Sequence, residues 1–124
     1  MQGRDPLTER IIGCAIEVHR ILGPGLLESA YVEALSLELE VAGLRVARQV
    51  PVKLNYKGRC LGEYRIDILI EDVVVVEAKA VERYAPVHQA QLLTYLRLTG
   101  KRVGLLINFN RPVVREGIKR MILG

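Results

Sequence analysis

Residues 64–80, YRIDILIEDVVVVEAKA, contain the two apolar segments that decide the fold of this chain. In the first segment, residues 64–70, isoleucines alternate with other side chains, which predicts a strand. A turn at Glu71-Asp72 leads into residues 73–80, whose unbroken valines are typical of a strand covered on both faces. We therefore expect two adjoining strands, with the second near the middle of a sheet.

The neighbouring segments extend this sheet. Upstream, residues 45–56 also alternate with a period of two, and Lys57-Gly58 joins them to the isoleucine strand, which predicts a hairpin. Downstream, a helix is predicted over residues 86–99, from a proline to the residue before a glycine, and a further apolar strand follows at 103–108. We expect a short C-terminal helix over residues 112–123.

Two amphipathic helices are predicted before the sheet. Asp5-Pro6 supplies an N-cap followed by a proline in the first turn, and the first helix should stop at Gly23-Pro24-Gly25. The second helix should run over residues 26–41. This order predicts a single α/β domain over residues 1–124, with a mixed β-sheet of about four strands flanked by helices.

Composition and charge narrow the classes of function. Of the 124 residues, 50% are apolar and 26% are charged, as in ordinary globular proteins. We expect a cytoplasmic protein without a membrane partner, because the chain lacks a long apolar stretch, a signal-peptide core and enough cysteines for a disulfide framework. The net charge of +4 favours an anionic partner, whereas the absence of Trp disfavours a row of stacked aromatics for single-strand binding.

Three charged residues interrupt the two central strands, where the pattern requires apolar side chains. Asp67 lies in the isoleucine strand, and Glu77 and Lys79 lie two residues apart on the valine strand, so that they share a face. A tight turn would bring Asp67 within reach of that pair. Two buried acids with one base leave a net negative charge, which a bound Mg²⁺ or Mn²⁺ ion would neutralise. The alternative is a partly buried salt bridge between Lys79 and one acid, and we favour the functional interpretation.

Glu28 is a third candidate acid, near the start of the second helix. It precedes Leu35 and Leu39 by seven and eleven residues, so we expect its side chain on or beside the core-facing stripe. The structural alternative is an acid that complements the helix macrodipole.

The third predicted helix carries a polar strip. His88, Gln91 and Tyr95 follow i, i+3, i+7 spacing beside apolar positions. A solvated helix edge would also explain this strip, and it is the favoured interpretation for His88 taken alone.

The C-terminal segment is basic. Arg111, Arg115 and Lys119 are spaced by four residues and give the predicted C-terminal helix a basic side. Together with His88 they are candidate nucleic-acid contacts, although a charge run of this kind is usually a solvated face.

An ordered set of motifs resembles one known family. Residues 25–31, GLLESAY, match the Gly-x-x-Glu-x-x-Tyr motif of the GxxExxY family, a branch of the PD-(D/E)XK nuclease superfamily. Four further segments resemble those of the family, at residues 22–25, 56–58, 91–96 and 104–109. The resemblance therefore covers nearly the whole chain and implies a restriction-endonuclease-like fold.

The resemblance also implies a metal-dependent nuclease site. Asp67 resembles the motif aspartate and Glu77-Ala78-Lys79 the Glu-x-Lys element, which implies that both carboxylates and the Ala78 carbonyl hold Mg²⁺ or Mn²⁺. Glu28 resembles the helical glutamate that completes the site, and Lys79 would orient the attacking water. The implied substrate is nucleic acid, and we expect DNA rather than RNA.

Gln91 and Tyr95 resemble the Gln-x-x-x-Tyr pair that some nucleases of the superfamily place beside the active centre. The resemblance implies that both side chains position the substrate backbone.

Three interpretations of the function stay open at this point. The first is the nuclease. The second is a non-catalytic module that uses the same fold to bind nucleic acid or a protein. The third is a structural subunit of a larger assembly, since a short chain leaves little beyond its core to grip a duplex. Self-association would enlarge that surface, and the predicted edge strand at residues 45–56 is a candidate contact for a homodimer.

Overall fold

A computed structural model describes residues 5–124, beginning at the cap of the first helix. The Asp5 carboxylate accepts a hydrogen bond from the backbone nitrogen of Thr8, at 2.8 Å, and α1 spans Pro6–Leu22. The helix ends at Gly23, whose φ of 68° suits glycine. The second helix, α2, spans Glu28–Val41. Both helices occur where the sequence predicts them, to within two residues.

The strands form one mixed sheet with the order β1-β2-β3-β4-β5. Among residues 5–124, only the β3 and β4 pair is parallel, and the other pairs are antiparallel. The third helix, α3, spans Pro86–Thr99 and connects the two parallel strands. The strands are β1 (Val46–Tyr56), β2 (Arg59–Ile70), β3 (Val74–Lys79), β4 (Val103–Asn108) and β5 (Ile118–Ile122). The prediction that the valine strand occupies the middle of the sheet is confirmed.

Helices cover both faces of the central strand. Val74, Val76 and Ala78 pack with α1 and α2 on one face, whereas Val75 packs with Leu92 and other residues of α3 on the opposite face. This double burial explains the unbroken valines, because neither face of the strand meets solvent at Val74, Val75 and Val76. The predicted α/β class and mixed sheet are therefore confirmed.

The predicted C-terminal helix is wrong. Val114–Gly117 forms a short 3-10 helix, and Ile118–Ile122 forms β5, which pairs with β4. Pairing supplies hydrogen-bond partners for the backbone groups of β5 and of the facing edge of β4. A C-terminal helix would leave that edge of β4 without partners. The sheet therefore has five strands among residues 5–124, where about four were expected, and the basic residues do not share one helix face.

None of the helices described between residues 5 and 124 combines the length and the apolar character that a membrane crossing requires.

Candidate active site

The two predicted strand acids meet where the backbone pairing of β2 with β3 ends. The last backbone pair there is Ile68 with Val76. One residue further, Glu77 Oε2 accepts a hydrogen bond from the Asp67 nitrogen at 2.8 Å, and Asp67 Oδ2 accepts one from the Ala78 nitrogen at 2.9 Å. At the carboxyl end of β3, the two carboxylates thus accept the hydrogen bonds that backbone carbonyls accept in the rest of the β2–β3 pair, and these bonds join the two strands.

Burial changes the acidity of both carboxyl groups. Glu77 is only 4% exposed, and this burial, with the negative charge of Asp67, raises its pKa to about 8. Burial also raises the pKa of Asp67, and the charge of Glu28 adds to that increase. The hydrogen bonds from the backbone and the positive charge of Lys79 oppose these increases. Both groups therefore hold a proton more readily than an exposed carboxyl does, and the repulsion between their negative charges would be relieved by a proton or another positive charge.

Lys79 lies beside this pair without bonding to it. Lys79 is half-buried, and its positive charge lowers the pKa of both acids. Within residues 5–124 it forms no ion pair shorter than 4.0 Å, so the alternative of a salt bridge with either acid is wrong. Its donors are available to a ligand.

Glu28 reaches the same end of β3 from the helix layer. It is the first residue of α2, and its Oε2 lies 3.4 Å from the backbone nitrogen of Ala80, which donates to it. The side chain is exposed, so Glu28 does not lie on the core-facing stripe, which was one of the two positions expected for it. The helix begins only at Glu28, and its carboxylate extends sideways toward the strand end.

The tyrosine of the Gly-x-x-Glu-x-x-Tyr motif holds the loop that precedes Glu28. Tyr31 is fully buried and its ring stacks on Phe109, with centroids 4.5 Å apart. Its hydroxyl donates to the Gly23 carbonyl oxygen at 2.6 Å and accepts from the Leu26 nitrogen at 3.1 Å. Gly25 between them has a φ of 101°, which favours glycine. The motif therefore couples a loop conformation to the position of Glu28.

The three polar residues predicted on α3 have different settings. Tyr95 is 4% exposed, and burial together with the charges of Glu77 and Asp67 raises its pKa to about 12. Gln91 is half-buried, and its side-chain amide has no hydrogen-bond partner among residues 5–124. His88 differs, because its Nδ1 accepts a hydrogen bond from the Ala85 nitrogen at 3.1 Å and so caps the helix.

Sequence reasoning missed Asn108, a buried polar residue at the end of β4. Its backbone pairs in register with Lys79, and its side chain bonds the segment that follows Lys79. Nδ2 donates to the Val81 carbonyl at 2.8 Å, while Oδ1 accepts from the nitrogens of Val81 and Asn110, at 3.2 and 3.1 Å. The available signal was a single amide side chain ending an otherwise apolar strand.

Three basic residues predicted to contact nucleic acid have different settings. Lys119 on β5 pairs with Leu106, which pairs with Glu77, so that all three lie in one row across the sheet. Arg111 forms an ion pair with Glu116 at 3.7 Å, and Arg115 is exposed on the 3-10 helix. Lys119 therefore lies on the same row of the sheet as Glu77 because of strand pairing, and not because of the four-residue spacing that predicted a helix.

The donor atoms suit a hard divalent cation. Asp67 and Glu77 each use one oxygen in the bonds above, and the second oxygen of each has no hydrogen-bond partner among the residues described. Oxygen donors of this kind favour Mg²⁺ or Mn²⁺. As they stand, no three His, Cys, Asp or Glu side chains within residues 5–124 form a cluster able to hold a metal ion. Glu28 is the nearest candidate for a third ligand, since its charge raises the pKa of both Asp67 and Glu77.

Comparison with known proteins agrees with this geometry. Residues 5–121 match the family model of the PD-(D/E)XK nuclease superfamily. A search of curated proteins found no match. The superfamily resemblance is thereby confirmed, whereas the GxxExxY branch stays a prediction. This chain belongs to the PD-(D/E)XK nuclease superfamily, and membership implies nucleic acid as its partner.

Proposed function

We propose that this chain is a metal-dependent nuclease that hydrolyses phosphodiester bonds in nucleic acid, with DNA as its preferred substrate. One observation carries the proposal. Asp67 and Glu77 are drawn together by crossed hydrogen bonds at the carboxyl end of the central strand, each with one carboxylate oxygen left unpaired among the residues described. A superfamily of nucleases that matches residues 5–121 supports the reaction class.

In this proposal four residues hold Mg²⁺ or Mn²⁺. Asp67 and Glu77 supply carboxylate oxygens, Ala78 its main-chain carbonyl, and Glu28 a third carboxylate. The bound ion would lower the pKa of a water molecule and neutralise charge on the reacting phosphate. Lys79 orients that water, since its ammonium has three donors and no competing ion pair within residues 5–124.

The remaining predicted residues act on the substrate. The unpaired amide of Gln91 and the hydroxyl of Tyr95 bind the sugar-phosphate backbone beside the acids. Basic residues attract that backbone from further away, and a positive net charge of +4 supports this. They are Arg111, Arg115, Lys119 and, when protonated, His88.

A cleavage assay tests the reaction. Purified protein is incubated with single-stranded DNA, duplex DNA and RNA in Mg²⁺ or in EDTA, and the products are separated by electrophoresis. Glu77→Gln should slow cutting by about 100-fold or more, because a metal ligand supplies several kcal/mol of stabilisation. The matched control is Glu63→Gln, an exposed residue on the same hairpin. Cutting that persists in EDTA or in Glu77→Gln overturns the proposal.

A non-catalytic module is the second candidate. It is favoured by the finding that the acids within residues 5–124 form a hydrogen-bonded pair and not a cluster of three. Calorimetry with MgCl₂ separates the two candidates. Heat of binding that disappears in Asp67→Asn supports the nuclease, whereas nucleic-acid binding without any Mg²⁺ binding supports the module.

The proposal also includes a homodimer formed through β1. In the sheet β1 is an edge strand, so a second copy could pair with its exposed backbone and enlarge the binding surface. Sedimentation of a dimer at micromolar concentration would support the homodimer, and a monomer would remove it. A larger assembly and a cytoplasmic location stay predictions.

A further inference from the structure

A groove lies between the β1–β2 hairpin and α3. Its volume is about 310 Å³. The hairpin contributes Leu54 and Tyr64, and α3 contributes Val87, Gln91, Tyr95 and Leu98. Most of these side chains are apolar, and Tyr64 remains 45% exposed. The groove is therefore open to solvent although its walls would favour an apolar ligand.

The groove and the candidate active site share Tyr95. This side chain lines the groove, and the charges of Glu77 and Asp67 act on its hydroxyl. Gln91 lines the same wall one helical turn earlier, and its amide has no partner within residues 5–124. A molecule in the groove would thus lie against Tyr95, the residue that the groove shares with the candidate active site.

The groove walls match the chemistry of a nucleobase. Tyr64 and Tyr95 have ring centroids 6.5 Å apart, with planes tilted by 49°, so the exposed ring of Tyr64 offers a face for stacking. The Gln91 amide has two N–H donors and an acceptor oxygen, so one backbone contact of the kind proposed above leaves hydrogen-bonding capacity for the polar edge of a base. Thr94 also lines the groove, and its hydroxyl accepts a hydrogen bond at 3.1 Å from the exposed Arg97, whose positive charge can attract a phosphate.

We propose that this groove is a subsite for one unpaired nucleobase of the substrate strand, so that the substrate class is single-stranded or locally unpaired nucleic acid. The inference rests on the proposed function. A base inside a duplex is stacked on both faces and must leave the stack to enter such a groove. One subsite needs one stacking ring, so the low aromatic content of the chain does not exclude it.

Fluorescence anisotropy with labelled oligonucleotides in EDTA tests the subsite without cleavage. The probes are single-stranded DNA, single-stranded RNA, the corresponding blunt duplex and an abasic DNA strand of the same length. Wild type should bind the single strands more tightly than the duplex or the abasic strand. Tyr64→Ala should weaken single-strand binding by about 5- to 150-fold, as expected for one lost stacking contact. It should leave binding of the abasic strand unchanged.

Two further variants provide a second test of the groove and a control outside it. Ala90→Trp, at an exposed position that lines the groove, should also weaken single-strand binding because the indole would fill the groove. Tyr56→Ala removes an exposed tyrosine of the same hairpin outside the groove and should bind like wild type. If Tyr64→Ala and Ala90→Trp bind single strands like wild type, the subsite is overturned. The proposed nuclease function is unaffected by that result. If wild type neither binds nor cuts nucleic acid, both proposals are overturned.

Discussion

The side-chain amide of Asn108 bonds both backbone groups of Val81, with Nδ2 donating to the carbonyl at 2.8 Å and Oδ1 accepting from the nitrogen at 3.2 Å. An asparagine amide can in this way imitate a neighbouring strand, with one donor and one acceptor. The contact lies two residues after Lys79, and the Phe109 nitrogen adds to it by donating to the Lys79 carbonyl at 2.9 Å. The chain that leaves the candidate site is therefore held by β4.

Asn108→Ala should destabilise the fold by about 1–3 kcal/mol, because it leaves partly buried backbone groups of Val81 and Asn110 without their partner. The free energy of unfolding is measured by urea denaturation. Asn55→Ala, at an exposed position of β1, is the matched control and should change it by less than about 0.5 kcal/mol. Equal effects of the two substitutions would contradict the role given to Asn108.

Gly117→Ala should destabilise the fold by about 1–3 kcal/mol, since an overpacked site must shift its neighbours. A Cβ at this position would lie 2.6 Å from the backbone oxygen of Asn108, which cannot move as a flexible side chain can. Gly62→Ala is the control, because a Cβ there meets nothing within 4 Å. Thermal unfolding of both variants checks the prediction, and similar midpoints would contradict it.

Because the pKa of Glu77 is raised in the folded protein, the free energy of unfolding should decrease as the pH rises. The pKa of Glu77 is about 8 in the folded protein and 4.5 in its ordinary state, so unfolding releases a proton between these values. The folded state binds more protons there, and its stability decreases with pH through that window. Glu77→Gln removes this titration and keeps an oxygen for the Asp67 nitrogen. Urea denaturation in EDTA at pH 5.5, 6.5 and 7.5 should therefore show the variant gaining stability relative to wild type, and parallel curves would contradict the prediction.

Tyr31→Phe should cost about 1 kcal/mol of stability through the loss of its hydroxyl. The variant keeps the ring that stacks on Phe109, but it loses the bonds to Gly23 and Leu26. Chemical denaturation measures the cost. Tyr56→Phe, at a side chain 59% exposed, serves as the control and should be neutral. A neutral Tyr31→Phe would show that the hydroxyl does not hold the loop before Glu28.

Lys119→Ala should weaken nucleic-acid binding uniformly across sequences. If the ammonium contacts one phosphate, the slope of log affinity against log salt should decrease in magnitude by about 1. Arg45→Ala removes one positive charge at the opposite end of the sheet, where Arg45 forms an ion pair with Glu71 at 3.3 Å. Anisotropy titrations over a range of NaCl concentrations check the slopes. An unchanged slope in Lys119→Ala would remove this residue from the proposed interface.

Local patterns in the sequence were enough to predict much of the site. Asp67, Glu77 and Lys79 are conspicuous because they interrupt strands that otherwise consist of apolar residues. The short turn at Glu71-Asp72 then brings the two strands together with few alternatives. Periodicity and a tight turn are both properties of neighbouring residues, so they can be read directly from the chain.

The sequence by itself determined the helices before the sheet, the central strands, and the acids and lysine that interrupt them. Tertiary structure alone decided that residues 118–122 form a strand, because that outcome depends on pairing with β4. It also decided that Glu28 reaches Ala80, 52 residues away, and that Lys119 lies in a row with Glu77. These relationships depend on hydrogen bonds and packing between distant segments, and no local spacing of residues encodes them.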